Sequence, residues 1–501
     1  MRTGGQARIA TGTIIGTSAI PVEVQVDVSP GLPAFHLVGL GDTAVQEARE
    51  RVRAAIRATG FTFPNARVVI NLAPSPLRKH GTGFDLPIAA GILLATGQVN
   101  PTIIDRSYLV GELSLDGRLR SIPGILAHVI GAQGSNRVLM APLDAGRYCS
   151  AFNAEFRPVP SLKHLDPTLP VNGDARIDRH SIVEQVSSFD LVDVIGQELA
   201  VRALMIAAAG GHHMMFIGPP GSGKTMLARR LPGLLQPLTE SEALETALIY
   251  SISGLDEEPY LRGNRPFRAP HHSCSVAGLI GGGSPPRPGE ISLAHNGVLF
   301  LDELTQFPPS ALQALRQPME DGIVTLVRAE GRIAYPGKFS LVAACNPCPC
   351  GFSGDSQRAC TCTPQAVNRY MNRIGGPLID RMDINLRVDR IDPGRLLTSG
   401  GGPPTSDIEP VVRRARQTAI ARQGKTNSML TGKEARSACR IKGRAEELLA
   451  GYAARHHFSG RAITKILRVS RTCADIAGCP DVKVEHVHEA LMFRTYESSD
   501  Q

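Results

Sequence analysis

The stretch Gly218-Pro-Pro-Gly-Ser-Gly-Lys-Thr225 decides the fold of this 501-residue chain. It fits the pattern G-x-x-x-x-G-K-[ST], in which a glycine-rich turn presents backbone N–H groups to phosphate oxygens. The apolar run 213–217 before it is typical of a buried strand, and the run 226–231 after it is typical of a helix. A phosphate-binding loop between a strand and a helix predicts a nucleoside triphosphatase built on a parallel α/β sheet.

The whole loop is predicted to hold ATP. Its glycines permit the tight turn, and the N-terminus of the following helix favours a bound anion. Lys224 is expected to reach the β- and γ-phosphates, and the Thr225 hydroxyl is expected to bind Mg²⁺. The predicted nucleotide-binding residues are Gly218, Pro219, Pro220, Gly221, Ser222, Gly223, Lys224 and Thr225.

Two later strands are predicted to bring polar side chains to the same phosphates. The apolar run 298–301 leads into Asp302 and Glu303, and the run 339–345 leads into Asn346. Because parallel strands end at one edge of a sheet, these side chains should lie beside the loop. Asp302 is expected to bind Mg²⁺, Glu303 to act as the general base on water, and Asn346 to orient that water or to contact the γ-phosphate.

The chain divides into five predicted parts. Residues 1–165 alternate strand and helix patterns, and residues 166–187 form a polar, proline-dotted linker. Residues 188–392 carry the nucleotide motifs, residues 393–407 form a Gly/Pro/Ser-rich connector, and residues 408–501 are helical in pattern. Within the first part, the strands 22–28 and 67–72, the helix 43–58 and a hairpin at 109–119 are predicted.

Composition limits the remaining possibilities. The chain is 42% hydrophobic, has a net charge of +8, and shows no signal peptide or membrane-spanning run. These features, with the uneven spacing of the cysteines, predict a cytoplasmic protein. Segment 407–501 contributes 17 Lys and Arg against 11 Asp and Glu, and so +6 of that charge. Its helices either contact a polyanion such as DNA or are simply well solvated.

Four cysteines follow Asn346 in the spacing C-P-C-x9-C-T-C. Four thiolates so close together can close a tetrahedral Zn²⁺ site in a loop that lacks an apolar core. The alternative is a set of reduced thiols on a loop. The candidate zinc ligands are Cys348, Cys350, Cys360 and Cys362.

The combination of motifs resembles the AAA+ ATPases, and within them the magnesium-chelatase-like YifB/ComM family. The resemblance rests on the loop, the strand before Asp302, Asn346 and three longer runs, and covers nearly the whole chain. Those runs are Arg268-Ala-Pro-His-His272, Arg287-Pro-Gly-Glu-Ile-Ser-Leu-Ala-His-Asn-Gly297 and Asn346-Pro-Cys-Pro-Cys-Gly351. It implies a parallel-sheet AAA+ core with an α-helical lid.

The family also implies roles for two arginines. Arg381, in the run Ile379-Asp-Arg381, resembles the arginine finger that reaches into a neighbouring subunit's site. Arg461 resembles the second sensor, which contacts the γ-phosphate from the lid. A finger acting across an interface implies a homo-oligomeric ring, expected to be a hexamer.

The same resemblance suggests what the ATPase moves. The segment 323–334 is predicted to be a hairpin with Arg328 and Arg332 beside its turn, and the family places such a hairpin at the ring pore. These arginines either grip DNA phosphates or are solvated surface residues. ComM-type DNA helicase or branch-migration activity, in recombination or DNA uptake, is the implied function. A chelatase-like ATPase that remodels a partner protein is the alternative.

The first 165 residues resemble the proteolytic domain of Lon, an α+β fold. Proteases of that type use a serine nucleophile and a lysine base. Here Gly83 and Leu126 fall where these residues are expected. The domain is therefore predicted to be non-proteolytic, and to serve as a ring scaffold or a collar that binds DNA.

Overall fold

The computed structural model describes residues 5–166, 169, 189–328, 331–392, 394 and 400–494. These ranges contain two large β-sheets and a set of helices at the C-terminal end. The expected linker 166–187 lies almost wholly outside the described residues, as does part of the expected connector 393–407.

The N-terminal half is built on a mixed sheet of seven strands in the order β3-β4-β2-β1-β5-β8-β9. Strand β2 runs antiparallel to β1 and β4, and the other neighbours are parallel. A separate short hairpin, β6–β7, spans residues 112–120 and so overlaps the predicted hairpin 109–119. The strands are β1 (Gly5–Ile15), β2 (Ser18–Ser29), β3 (Ala34–Val38), β4 (Arg67–Ala73), β5 (Ser107–Leu109), β6 (Glu112–Leu113), β7 (Leu119–Arg120), β8 (Val138–Ala141) and β9 (Phe156–Pro158).

Five helices pack with this sheet. The first covers the predicted range 43–58 and is capped at its N-terminus by Asp42, whose carboxylate accepts the Val45 N–H at 2.9 Å. Its buried residues recur every three or four positions and form one apolar face. The helices are α1 (Thr43–Ala58), α2 (Asp85–Ala95), α3 (Pro101–Ile104), α4 (Ile125–Gly134) and α5 (Gly146–Ala151).

The second sheet carries the nucleotide motifs, and all five of its strands are parallel. Their order is β11-β14-β17-β10-β18, so the strand before the phosphate loop, β10, lies between β17 and β18. This confirms the predicted parallel sheet. The strands of this half are β10 (Met214–Ile217), β11 (Phe267–Arg268), β12 (Gly281–Gly282), β13 (Arg287–Pro288), β14 (Val298–Leu301), β15 (Ile323–Arg328), β16 (Gly331–Pro336), β17 (Ser340–Cys345) and β18 (Ile384–Arg387).

Helices surround this sheet, and one boundary differs from the prediction. The helix expected at 226–231 is divided between α7 and α8, because Pro232 has no N–H to continue the helical hydrogen bonds. The helices are α6 (Glu198–Gly210), α7 (Lys224–Ala228), α8 (Leu231–Leu234), α9 (Glu240–Ile252), α10 (Glu258–Leu261), α11 (Val276–Ile280), α12 (Glu290–Leu293), α13 (Pro309–Ala314), α14 (Arg316–Asp321), α15 (Pro364–Met371) and α16 (Gly376–Ile379).

The C-terminal region is helical, as its pattern predicts. Two of its helices, Thr405–Gln423 and Gly460–Ile476, pack against α6 of the core. At this contact the buried His212 ring lies between Asp383 of the core (2.9 Å) and Thr472 (2.7 Å). The other helices of this region are Gly432–Cys439, Arg444–Arg455 and Val484–Met492. Across the described ranges, no helix has the length and apolar character needed to cross a membrane.

The N-terminal half packs directly on α9 of the nucleotide-binding half. The Gly124 N–H donates to the Ser251 carbonyl oxygen at 2.8 Å, and Arg147 pairs with Glu257 at 3.0 Å. Ala247 of α9 is fully buried in the apolar cluster around Tyr108. The two halves are therefore joined by a packed contact as well as by the chain itself.

A buried histidine makes the N-terminal half sensitive to acid. The Tyr108 hydroxyl oxygen lies 2.8 Å from Nδ1 of His128, and burial lowers the pKa of His128 to about 4. Between about pH 6.5 and pH 4, the unfolded chain therefore carries a proton on His128 and the folded chain does not. This contribution to the free energy of unfolding is highest above pH 6.5 and decreases as the pH falls towards 4.

We predict that the His128→Gln variant loses less stability than the wild type between pH 7.5 and pH 4.5. The difference should be about 2 to 3 kcal/mol, the free energy of protonating this one imidazole in the unfolded chain only. Urea unfolding followed by circular dichroism at both pH values measures it. Equal losses in the two proteins would contradict the assignment.

Candidate nucleotide site

The site lies where the parallel strands end. Ile217, the last residue of β10, pairs with Cys345 of β17 on one side and with Arg387 of β18 on the other. The Gly218 N–H then donates to the Cys345 carbonyl oxygen at 3.2 Å. The phosphate loop and Asn346 therefore leave the sheet side by side.

The phosphate loop requires glycine at the positions that turn. Gly221 and Gly223 have φ angles of +77° and +87°, in the left-handed region that favours glycine. A Cβ atom on Gly218 would lie 2.1 Å from the Val388 carbonyl oxygen, so the close approach of β18 depends on a residue without a side chain. Helix α7 starts at Lys224, immediately after the turn.

Lys224 is folded back over the loop. Its Nζ donates to the carbonyl oxygens of Gly218 at 2.7 Å and Pro219 at 2.9 Å, and lies 3.4 Å from Oδ1 of Asn346. Burial lowers the pKa of Lys224, and the nearby Asp302 carboxylate opposes that effect. The structure therefore brings the predicted Lys224 and Asn346 together.

Thr225 and Asp302 are in direct contact. The Thr225 hydroxyl donates to Oδ2 of Asp302 at 2.7 Å, and Oδ1 of Asp302 accepts the Glu303 N–H at 2.9 Å. Glu303 has a φ angle of +50°, an unusual value for a residue other than glycine. Its half-exposed carboxylate lies 3.4 Å from Nδ1 of His272.

The donor set fits the expected cofactors. A hydroxyl and a carboxylate in contact offer Mg²⁺ the hard oxygen ligands that it prefers. The Ser222 hydroxyl is buried and has no hydrogen-bond partner among the described residues, although it lies within the loop. Such a group is costly unless a ligand satisfies it, and a phosphate oxygen would do so.

Arg390 is a site residue that the sequence analysis missed. Its Nε and Nη2 both donate to the Pro220 carbonyl oxygen, at 3.1 and 3.0 Å, and so hold the top of the phosphate loop. It follows β18, the fifth strand of the sheet. The same argument that selected Asn346, a polar residue after a parallel strand, would have selected it.

The four candidate zinc ligands converge. The Sγ atom of Cys348 lies 3.3 Å from that of Cys350 and 3.6 Å from that of Cys360, and Cys350 and Cys360 are also 3.6 Å apart. All four sulfurs, including that of Cys362, lie within 4.8 Å of one another. None of the four is in a disulfide.

Arg381 and Arg461 line one cleft between the core and the C-terminal helices, with a volume of about 820 Å³. None of the residues 218–225 lines it. Arg381 donates to the Pro377 carbonyl oxygen at 2.7 Å and pairs with Glu320, whereas the Arg461 side chain is exposed. The structure therefore groups the two arginines with each other.

The predicted hairpin at 323–334 is present as β15 and β16, which pair from Ile323 with Pro336 to Arg328 with Gly331. Arg328 and Arg332 are both exposed near its tip. A second short hairpin, β12–β13, lies alongside, with Arg328 close to Gly282 and with the Tyr335 hydroxyl bonded to the Pro286 carbonyl oxygen at 2.9 Å. It adds an exposed arginine that the sequence analysis did not select, Arg287.

We predict that Gly218→Ala destabilises the protein and weakens nucleotide binding, because the new methyl group would overlap the Val388 carbonyl oxygen. Overpacking of this kind costs about 1 to 3 kcal/mol. Gly451→Ala is the matched control, since Gly451 is helical and nothing lies within 4 Å of the added Cβ. Thermal unfolding and nucleotide titration compare the two, and a Gly218→Ala protein as stable as the control would contradict the close approach.

Comparison with protein families matches most of the chain to magnesium chelatase. The model described as "Magnesium chelatase, subunit ChlI" matches residues 190–396. The models "Subunit ChlI of Mg-chelatase" and "Magnesium chelatase, subunit ChlI C-terminal" match residues 24–144 and 402–494. The three matches together include the phosphate loop, both carboxylates and the two arginines.

Individual relatives match over nearly the full length. The chain is 41% identical to the uncharacterized protein YifB of Escherichia coli, covering 98% of this chain and 97% of that protein. It is 40% identical to the competence protein ComM of Haemophilus influenzae, covering 96% of each. A shorter match, 31% identity over 150 residues, links 28% of the chain to 27% of Lon protease 2 of Bacillus subtilis. The chain therefore belongs to the YifB/ComM family of magnesium-chelatase-like AAA+ ATPases.

Proposed function

We propose that this protein hydrolyses ATP within a homo-oligomeric ring of six copies, the number that the family resemblance implies, and uses the energy to move DNA. The contact between the Thr225 hydroxyl and the Asp302 carboxylate, beside Lys224 in a glycine-rich loop, carries the ATPase part of the proposal. The exposed arginines near the tip of the β15–β16 hairpin carry the DNA part. The proposed cofactors are ATP and Mg²⁺.

Each side chain of the site has a proposed task. Lys224 binds the β- and γ-phosphates by exchanging its two carbonyl partners in the loop for phosphate oxygens. Glu303 takes a proton from the attacking water, and Asn346 orients that water. Thr225 and Asp302 hold Mg²⁺, which neutralises phosphate charge when it is bound.

Arg381 and Arg461 are proposed to act together on the site of a neighbouring subunit. They share a cleft to which residues 218–225 of the same chain do not contribute. A guanidinium that stabilises the charge of the transferring phosphoryl group must lie close to it. The grouping of the two arginines therefore favours a site completed across an interface, with the second sensor as well as the finger supplied by the neighbour.

The hairpin arginines are proposed to bind the DNA backbone. Arg287, Arg328 and Arg332 are exposed on two adjacent hairpins. Contacts with phosphates do not depend on base sequence, which suits a motor that steps along DNA. The relative from Haemophilus influenzae is named competence protein ComM, which is in keeping with this proposal.

The N-terminal half, up to about residue 165, is proposed to be a non-proteolytic Lon-like scaffold. Gly83 stands where the serine nucleophile is expected, and a Cβ there would meet the Ile122 side chain at 2.7 Å. Leu126 stands where the lysine base is expected and is fully buried. Apolar surroundings at both positions suit packing better than peptide hydrolysis.

We predict that two inactive variants restore ATPase activity when mixed. Lys224→Ala lacks a working phosphate loop but keeps Arg381, whereas Arg381→Ala keeps the loop but lacks the finger. A mixed ring contains interfaces at which both are intact, so ATP turnover should recover to a fraction set by the mixing ratio. Arg461→Ala should be rescued by Lys224→Ala in the same way.

The control is a mixture of Lys224→Ala with the double variant Lys224→Ala/Arg381→Ala. No protomer of this mixture has an intact phosphate loop, so the mixture should stay inactive. Size-exclusion chromatography with light scattering establishes that mixed oligomers form. Mixed oligomers without any recovery would refute the shared site. An inactive wild type would refute the ATPase itself.

We predict that Arg328→Ala/Arg332→Ala weakens DNA binding and makes it less dependent on salt. Each lost phosphate contact should reduce the slope of log affinity against log salt by about 0.7 to 0.9. Fluorescence anisotropy with a labelled four-way junction and with a labelled single strand measures both quantities. ATPase activity without DNA should stay unchanged.

Arg440→Ala, which removes an exposed arginine just after the helix Gly432–Cys439, is the matched control and should leave the slope unchanged. Equal affinity of the wild type and the hairpin variant for DNA would contradict the proposed grip. Wild-type ATPase activity that ignores DNA but responds to a protein client would favour the alternative of a protein-remodelling ATPase.

A further inference from the structure

We propose that Cys348, Cys350, Cys360 and Cys362 bind one Zn²⁺ ion, and that the loop closed by this ion holds the phosphate loop in its nucleotide-binding shape. The coupling part of the proposal rests on the proposed ATP site. The segment 348–362 is called the cysteine loop below.

The spacing of the sulfur atoms is that of a tetrahedral zinc site. With Zn–S bonds of about 2.3 Å, the sulfur atoms at the corners of a tetrahedron are about 3.8 Å apart. The three pairs with measured contacts lie at 3.3 to 3.6 Å, and the fourth sulfur is within 4.8 Å of the others. Four sulfur ligands select a soft or borderline metal, of which Zn²⁺ is the common structural choice.

Backbone groups support the same assignment. The Ser353 N–H donates to the Sγ atom of Cys348 at 3.3 Å, and the Cys362 N–H donates to that of Cys360 at 3.4 Å. Hydrogen bonds of this kind orient metal ligands and offset the negative charge of thiolates. The stretch between Gly351 and Cys360 forms turns and bends without a helix or strand, so a bound ion would supply the cross-link that such a segment needs.

The cysteine loop touches the phosphate loop directly. A Cβ atom on Gly351, where φ is +87°, would come within 2.9 Å of Cδ of Pro220, so the Gly351 backbone lies close against the Pro220 ring. Only Pro347 separates the cysteine loop from Asn346 along the chain, and Oδ1 of Asn346 lies 3.4 Å from Nζ of Lys224. Movement of the cysteine loop would therefore disturb both Pro220 and Asn346.

Arg390 joins the two loops. Its guanidinium donates twice to the Pro220 carbonyl oxygen, lies 5.3 Å from the centre of the Phe352 ring, and pairs at 3.5 Å with the buried carboxylate of Asp355. Phe352 and Asp355 both belong to the cysteine loop. Arg387 adds a bond of 3.2 Å to the Ser353 carbonyl oxygen. If the cysteine loop unfolds, Arg390 loses the partners that aim it at Pro220.

The first test counts metal in the full-length protein, purified without chelators. We expect about one zinc per chain in the wild type and in Cys479→Ser, a cysteine outside the cluster, and none in Cys360→Ser/Cys362→Ser. Replacement by Co²⁺ should give the absorption of tetrahedral cobalt thiolate. A wild type without stoichiometric zinc, even after incubation with zinc chloride, would overturn the site.

The second test measures the binding of a fluorescent ATP analogue with excess Mg²⁺. Wild type stripped by a zinc-selective chelator should bind at least tenfold more weakly, a loss of about 1.4 kcal/mol, and should recover with zinc. Arg390→Ala should keep its zinc but show a similar loss, and Arg440→Ala should not. Circular dichroism of the stripped protein separates local from global unfolding, and Arg390→Ala gives a readout if the cysteine variants do not fold.

The two parts of the proposal fail separately. If neither zinc removal nor Arg390→Ala changes the affinity for nucleotide, the coupling between the two loops is overturned. The metal count alone then decides whether the zinc site exists. A wild type that holds zinc but binds no nucleotide would overturn the proposed ATPase and the coupling with it, and would leave the zinc site standing.

Discussion

The parallel pairing of β10 with β17 and β18 is the constraint on which the rest of this structure depends. It sets Ile217 level with Cys345 and Arg387, so that three chain segments leave the sheet at one place. The positions of the glycine turn, Asn346 and Arg390 all follow from that register. A shift of one residue in either pair would turn the side chains of a strand to the opposite face and would separate these groups.

The phosphate loop is held from several directions before any ligand binds. The Cys345 carbonyl oxygen receives the Gly218 N–H below it, Val388 presses against Gly218 from the side, and Arg390 binds the Pro220 carbonyl oxygen above. A turn fixed in this way does not have to be ordered by the nucleotide. The binding energy of the triphosphate is then available for catalysis instead of being used to shape the loop.

The parts of the structure that could be predicted from the sequence are those specified by residues close together along the chain. The phosphate loop, the helix 43–58 and the β15–β16 hairpin follow from local pattern and turn chemistry. The contact of the cysteine loop with Pro220 and the grouping of Arg381 with Arg461 depend on residues that are distant along the chain. No periodicity or motif reports such contacts. Arg390 lies between these cases. Its position after a strand could be predicted from the sequence, but its contact with Pro220 could not.

The packing of the N-terminal sheet on α9 has a mechanical meaning. Ala247 is buried among N-terminal side chains, and a Gly124 N–H is bonded to the end of the same helix. Gly16, in the turn between β1 and β2, also lies close to Ala334 of the hairpin strand β16. The N-terminal half therefore contacts both α9 and the β15–β16 hairpin itself, so a displacement of either element relative to the sheet would be passed on to the N-terminal half.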